Sequence, residues 1–257
     1  KGSFIESGMF INRALDLAPQ EPGNYLIKAE NNILGVTIPS ILLAGSWPPR
    51  FRTIKSPEIS NLDKYISDRK NTYYHKTLED KFINDFHSLG LDQYFMLYYG
   101  QTISEVYSPY ITNSRNIADS IHSLIKADRY NEAAALGAKW LENNLSAISI
   151  YWLTAIAYLD AGNKLKAEEF FHKYEGFIAS MLATGDGEGP ESAFIVISTT
   201  EEYTLMEYLG FKVSGQFLSE HKGHYFDILT GITSSGVEKQ VYFNIDKPFS
   251  SLNKSLR

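Results

Sequence analysis

Two polar turns constrain this chain more than any other feature. Asp128-Arg129-Tyr130-Asn131-Glu132-Ala133 and Ala161-Gly162-Asn163-Lys164-Leu165-Lys166-Ala167 each lead into a helix with a small residue near its start, and Ala133 and Ala167 stand 34 positions apart. At the same offset Leu124 aligns with Tyr158. A helix pair recurring at such a spacing cannot bury its apolar face alone and must stack on its neighbours. In the second unit Tyr151, Ala155 and Tyr158 mark one helix, and Ala167 and Phe171 the next. Small residues let the two axes approach, and rings fill the groove between them.

Thirty-four residues is the tetratricopeptide period, and the pattern resembles that family. Near the start, helices expected at Phe4–Leu17 and about Tyr25–Leu34 place Ala14, Pro19, Tyr25 and Ala29 on the same template. Two positions depart from it: Gly137 replaces an aromatic and Leu145 a proline. Between the pieces, Trp47-Pro48-Pro49-Arg50 forms an extended link near 46–57. Helices are predicted at Ile59–Ser67, Thr72–Leu89 and Asp92–Tyr99.

After Leu182 the period changes. Thr184-Gly185-Asp186-Gly187-Glu188-Gly189-Pro190 is a turn-rich loop. A strand is expected at Ala193–Ser198 and a helix at Thr200–Leu209, with Thr199 or Thr200 as cap and Gly210 as stop. Strands follow at Lys212–Ser219, Tyr225–Thr233 and Lys239–Ile245. The fold class is therefore α+β. Residues 1–183 form a helical, repeat-like region, and 184–257 form a four-stranded antiparallel module packed on it.

Composition removes several functions. The chain has no cysteine, which excludes disulfides, thiol catalysis and Cys-ligated metals. The 30 acidic residues outnumber the 24 basic ones, giving a formal charge of −6 and no positive footprint for nucleic acid or an anionic membrane. The longest apolar run, Ile33–Gly45, contains Pro39 and is too short to span a bilayer. It ends in Ala44-Gly45-Ser46, which has the look of a leader cleavage site, but it is read as a buried core segment.

Several stretches taken together resemble the bacterial family called domain of unknown function 4919. They are Thr72-Tyr73-Tyr74, Leu97-Tyr98-Tyr99-Gly100, Tyr107-Ser108-Pro109-Tyr110, and Gly185-Asp186-Gly187 leading to Ala193-Phe194-Ile195-Val196. Glu202-Tyr203, Leu209-Gly210, Gln216, Tyr225-Phe226-Asp227-Ile228-Leu229 and Val241-Tyr242-Phe243-Asn244-Ile245 complete the set, over about Lys55 to Ile245. The resemblance carries no activity and no catalytic residues. Members are often exported, so it leans the expected compartment toward the periplasm or secretion.

Four groups of residues carry enough chemistry to be candidate sites. Asp186, Glu188 and Glu191 alternate with glycine as in loops that wrap a hard cation, though the pattern equally makes a helix-to-strand turn. His221 and His224, with Asp227 following, pair imidazoles with a carboxylate, or simply fill a polar hairpin loop. Glu201-Glu202 beside Asp227 offers acid–base carboxylates, or favourable charge in the first turn of a helix. Tyr98, Tyr99, Tyr107 and Tyr110, near Tyr94, offer rings for a peptide or sugar groove, or core packing. The favoured reading is a non-enzymatic protein- or peptide-interaction module without a cofactor. The alternative is a hydrolase using Asp186, Glu202 and Asp227.

Overall fold

A computed structural model describes residues 62–255 apart from 105–106, 110–112, 146 and 234–235, together with the backbone of four short strands between 24 and 46. Those strands are β1 (Asn24–Leu26), β2 (Glu30–Ile33), β3 (Val36–Pro39) and β4 (Ala44–Ser46), paired antiparallel as β1–β4 and β2–β3. They replace the helix expected at Tyr25–Leu34. Ile33 pairs with Val36 across Leu34-Gly35, a two-residue connection, and Val36-Thr37-Ile38 is β-branched. The helix expected at Phe4–Leu17 and the link at Trp47–Arg50 lie outside the described residues.

Among the described residues seven α-helices follow in sequence: α1 (Leu62–Ile66), α2 (His75–Asn84), α3 (Leu91–Gly100), α4 (Asn113–Lys126), α5 (Tyr130–Leu141), α6 (Ile148–Asp160) and α7 (Lys164–Leu182). From α4 onward each helix packs on the next, and α4 also touches α6. The turns that open α5 and α7 have the same backbone. Asp128 and Gly162 both take positive φ, 57° and 79°. Arg129 N–H donates to Leu124 O at 2.9 Å, and Asn163 N–H donates to Tyr158 O at 2.8 Å. Asp128 N–H reaches Ile125 O and Gly162 N–H reaches Leu159 O in the same way. Each helix thus ends in one left-handed residue that satisfies its last carbonyls. Asn163 then caps α7 through its side chain, which accepts the Lys166 N–H at 3.2 Å.

Gly137 stands where the repeat expects a ring because α5 and α6 touch there. A Cβ on it would lie 2.0 Å from Thr154 Oγ1. Gly176 on α7 likewise leaves room for the Tyr94 ring, which would come within 2.3 Å of an added Cβ. Ala155 and Ala167 are fully buried at the neighbouring contacts.

The C-terminal part holds β5 (Phe194–Ile195), α8 (Thr199–Tyr208), β6 (Phe211–His221), β7 (His224–Thr233), β8 (Glu238–Asn244) and α9 (Asp246–Ser255). The sheet order is β5-β8-β7-β6. β6, β7 and β8 pair antiparallel as expected, but β5 runs parallel to β8, with Phe194 beside Phe243, so the sheet is mixed. The cause is α8: a helix between β5 and β6 carries the chain back across the sheet, and two strands joined by such a crossover point the same way. The expected Ala193–Ser198 strand shrinks to two residues because Tyr and Glu side chains take over its hydrogen bonds, as described below. The β6–β7 hairpin turns on Lys222 and Gly223, both at positive φ (53° and 80°), as a two-residue turn requires. α9 was not expected; its signal is Asp246 at the start and Pro248 in the first turn.

One hydrophobic core runs through both parts, from Leu62 and Phe82 through Phe177 to Leu229, Val241 and Phe243. Phe177 lies at its centre, with the rings of Phe82, Tyr94, Tyr98 and Tyr151 at 5.3–6.0 Å. No helix among the described residues is long and apolar enough to cross a membrane.

Two substitutions test this packing. Ala167→Trp is expected to lower stability by about 1–3 kcal/mol or more, because the buried contact has no room for an indole. Urea denaturation measures it, and a parent-like midpoint would contradict the close approach of these helices. Gly187 has φ +70°, and a Cβ there would sit 2.6 Å from the Phe194 ring and 2.8 Å from Val241. Gly187→Val should therefore cost more than Gly189→Ala, where the backbone is extended and an added Cβ meets nothing within 4 Å, and the same denaturation series reads it.

Candidate functional site

The segment that leaves β5, Ile195 to Ser198, is tied down by three tyrosines. Tyr99 donates its hydroxyl to Ile195 O at 2.7 Å, and Tyr107 donates to Ile197 O at 2.5 Å. Tyr98 donates to the Glu201 carboxyl, whose Oε2 also accepts the N–H groups of Ile197 (3.1 Å) and Ser198 (3.0 Å). Ser198 Oγ in turn donates to Pro109 O at 3.0 Å. Ser198, not Thr199 or Thr200, is the residue that precedes α8. The Glu201 carboxyl reaching back to the Ser198 N–H is half of a capping box.

Glu201 and Glu202 are both buried, at 2% and 0% exposure. Burial pushes the Glu201 carboxyl up to about 8, against the pull of its hydrogen bonds from Tyr98, Ile197 and Ser198. Its Oε1 is buried with no hydrogen-bond partner. Tyr98 and Tyr99 are raised well above the ordinary phenol range, first by burial and then by the Glu201 charge.

Glu202 lies against the sheet instead. It hydrogen-bonds the Asp227 carboxyl on β7, and Gln216 of β6 donates to Asp227 Oδ2 at 2.8 Å. Gln216 Oε1 accepts the Tyr203 hydroxyl, which closes the network. Glu202 is pushed up to about 10, by burial first and by the Asp227 charge second. Asp227 is also raised by burial, but its bonds from Gln216 and Glu202 hold it down. Two adjacent carboxyls cannot both ionise cheaply, so the pair shares one proton, with Glu202 as donor and Asp227 as acceptor.

On the other side of Ile197–Thr200 is a small, half-open cleft. Tyr107, Ser108 and Pro109 form one wall, Trp140, Asn144 and Ala147 another, and Ser114, Ile197, Ser198 and Thr200 the rest. The indole Nε1 of Trp140 is buried without a hydrogen-bond partner. The lining mixes ring faces with hydroxyl and amide groups, which suits a ligand that stacks and also hydrogen-bonds.

The expected site residues are therefore divided. Tyr98 and Tyr99 are wholly buried, as is Tyr94, so they brace the core and do not line a groove. Tyr107 does reach the cleft, and Tyr110 lies outside the described residues. Glu202 and Asp227 meet, but Asp186 does not join them. Its Oδ1 accepts the Glu188 N–H at 3.0 Å and the Ser192 hydroxyl at 2.5 Å, which makes it a turn residue. Glu188 pairs with Lys239 at 2.7 Å, and Glu191 pairs with Lys222 at 2.5 Å and His221 at 3.5 Å. His224 bonds Asp246 at 2.6 Å. Among the described residues, no three metal-capable side chains come together. Trp140 and Asn144 were missed because nothing local marks the end of α5 as a cleft wall.

The fold and these two sites define an α+β protein in which stacked helix pairs and a mixed sheet share one core. The chain belongs to the family described as Domain of unknown function (DUF4919), whose model matches residues 60–254. No curated protein and no solved structure matches it.

The buried carboxyls make stability depend on pH. A carboxyl whose folded value is raised binds its proton more tightly in the folded state, so its contribution is complete below the unfolded value and fades as pH rises. The window runs from 4.5, the ordinary glutamate value, to about 8 for Glu201 and about 10 for Glu202. The melting temperature is expected to fall steadily across it, and Glu202→Gln to flatten the upper part. A parent curve level from acid to alkaline pH would remove the shared-proton description. Tyr98→Phe, which strips a partner from a buried carboxyl, should cost about 1–3 kcal/mol in the same assay.

Proposed function

We propose that this protein is a non-enzymatic interaction module that holds a peptide segment of another protein in the cleft beside α8. The observation that carries the reading is the cleft lining: the Tyr107 and Trp140 rings, the Ser198 and Thr200 hydroxyls, and a buried indole N–H with no partner of its own. An unpaired buried donor is costly, and a ligand carbonyl that reached it would recover that cost on binding. Such a ligand reaches Nε1 only if the cleft wall yields slightly, since the atom is covered in the free protein.

The helix pairs are read as a tetratricopeptide-like scaffold for this cleft. Support comes from the turns at Asp128 and Gly162, which repeat hydrogen bond for hydrogen bond at the 34-residue period. Stacked pairs of this kind commonly present surfaces to peptides, an argument by analogy of fold. The hydrolase alternative is supported by the meeting of Glu202 and Asp227 alone. It lacks Asp186, and its acid is wholly buried.

A random-peptide display library selected on the purified protein tests the reading, with Thr200→Trp as a plug for the cleft. Thr200 is exposed, so the indole can be carried without disturbing the core. Peptides enriched on the parent and lost on the plugged variant are the expected result, and Asp227→Asn should retain them. No enrichment, or enrichment indifferent to the plug, would overturn the assignment.

A further inference from the structure

The β6 edge is built to pair, and we propose that it pairs with the β6 of a second copy of this chain. β6 has 11 residues and stands at the outer side of the sheet, and among the described strands it is hydrogen-bonded to β7 alone. Its first half is blunted in the way edge strands usually are. Lys212 is exposed, and a bulge at Ser214 breaks the register between Val213 and Gly215. Its second half is not blunted. From Gly215 to His221 the pairing with β7 is continuous, and two large apolar side chains lie open on it, Phe217 at 46% and Leu218 at 57% exposure.

The hairpin turn fixes which backbone groups face outward. In a two-residue hairpin the flanking pair, here His221 and His224, exchanges both hydrogen bonds. Counting back along the regular stretch, Gln216, Leu218 and Glu220 turn their N–H and C=O groups away from β7. Three such residues in alternation are a complete half of an antiparallel ladder.

Only one symmetric register uses all three. A two-fold axis at Leu218 sets Leu218 against itself and Gln216 against Glu220 twice over. An axis at Glu220 opposes two carboxylates directly. An axis at Gln216 runs the ladder into the Ser214 bulge. The register at Leu218 is the one that both opposes no like charges and stays clear of the bulge. The occupant is therefore a second copy, because the edge is complementary to itself. Strand pairing buries little area compared with a standard interface, so the dimer should form reversibly with concentration.

Sedimentation velocity over a concentration series is the test. The parent is expected to shift from one chain to two as concentration rises. Leu218→Lys sets two charges on the axis and should remain a single chain at every concentration, with an unchanged circular dichroism spectrum. Ile83→Lys, at an exposed apolar residue of α2, should dimerise as the parent does. Because the chain has no cysteine, Leu218→Cys gives a second reading that does not depend on the lysine variant folding. Facing residues in a hydrogen-bonded pair have Cα atoms about 5.5 Å apart, within disulfide range, so mild oxidation should link two chains. A parent that stays a single chain throughout would overturn the proposal. A dimer that survives Leu218→Lys, or a Leu218→Cys variant that does not cross-link, would overturn it equally.

Discussion

Three tyrosine hydroxyls hold the two parts of this molecule in register. β5 is an edge strand of two residues, and among the described residues no further strand pairs with its open side. A buried carbonyl without a partner is costly, and here the partners are phenols: Tyr99 on α3 serves Ile195, and Tyr107 in the loop beyond serves Ile197. The inner side is served by β8, with Val196 N–H donating to Asn244 O at 3.3 Å. A sheet edge has thus been closed with side chains of the helical layer. Those same bonds fix where α8 begins, and everything beyond α8 inherits its position from them.

The consecutive glutamates of α8 then divide the work between two neighbours. Residues one step apart on a helix point about 100° apart, so a single turn addresses two different elements. Glu201 turns to Tyr98 and the backbone of its own cap, and Glu202 turns to Asp227 on β7. Each is a titratable group with most of its hydration removed. The fold tolerates them because the first has three donors and the second shares a proton with its neighbour. Burying both within one turn is costly in the ionised form, which is why the two values rise together and not just one.

What the sequence disclosed follows the range of the interaction. Local signals are legible: the turns at Asp128 and Gly162, the hairpin at Lys222-Gly223, and the turn around Gly187 are all set within a few residues. Period gave the order of the helices from α4 to α7. The same signal could not say which way the rings of Tyr98 and Tyr99 face, since core and groove tyrosines share helical spacing. The parallel pairing of β5 and the separation of Asp186 from Glu202 were equally out of reach, because both depend on contacts between distant segments. Local cues also failed where they compete: Asn31-Asn32 and Val36-Thr37-Ile38 drew the chain into strands where helical spacing suggested a helix. The α9 helix was legible from Asp246 and Pro248, and was missed because the strand before it drew the boundary.

α8 is the mechanical link between the cleft and the free edge of the sheet. Its cap Ser198 and its second residue Thr200 line the cleft, and Tyr203 in its next turn bonds Gln216 on β6. A ten-residue helix pinned at one end by Tyr98, Tyr107 and Pro109 and at the other by the sheet has little freedom to tilt without breaking a buried polar bond. Gln216 is in turn one of the residues whose backbone faces outward on the edge. Strand pairing there would use its main chain and leave its side chain on Asp227 and Tyr203, because backbone and side chain of a strand residue point in perpendicular directions. The acid network and the edge can therefore be occupied together, and the cleft lies beside the first turn of the same helix.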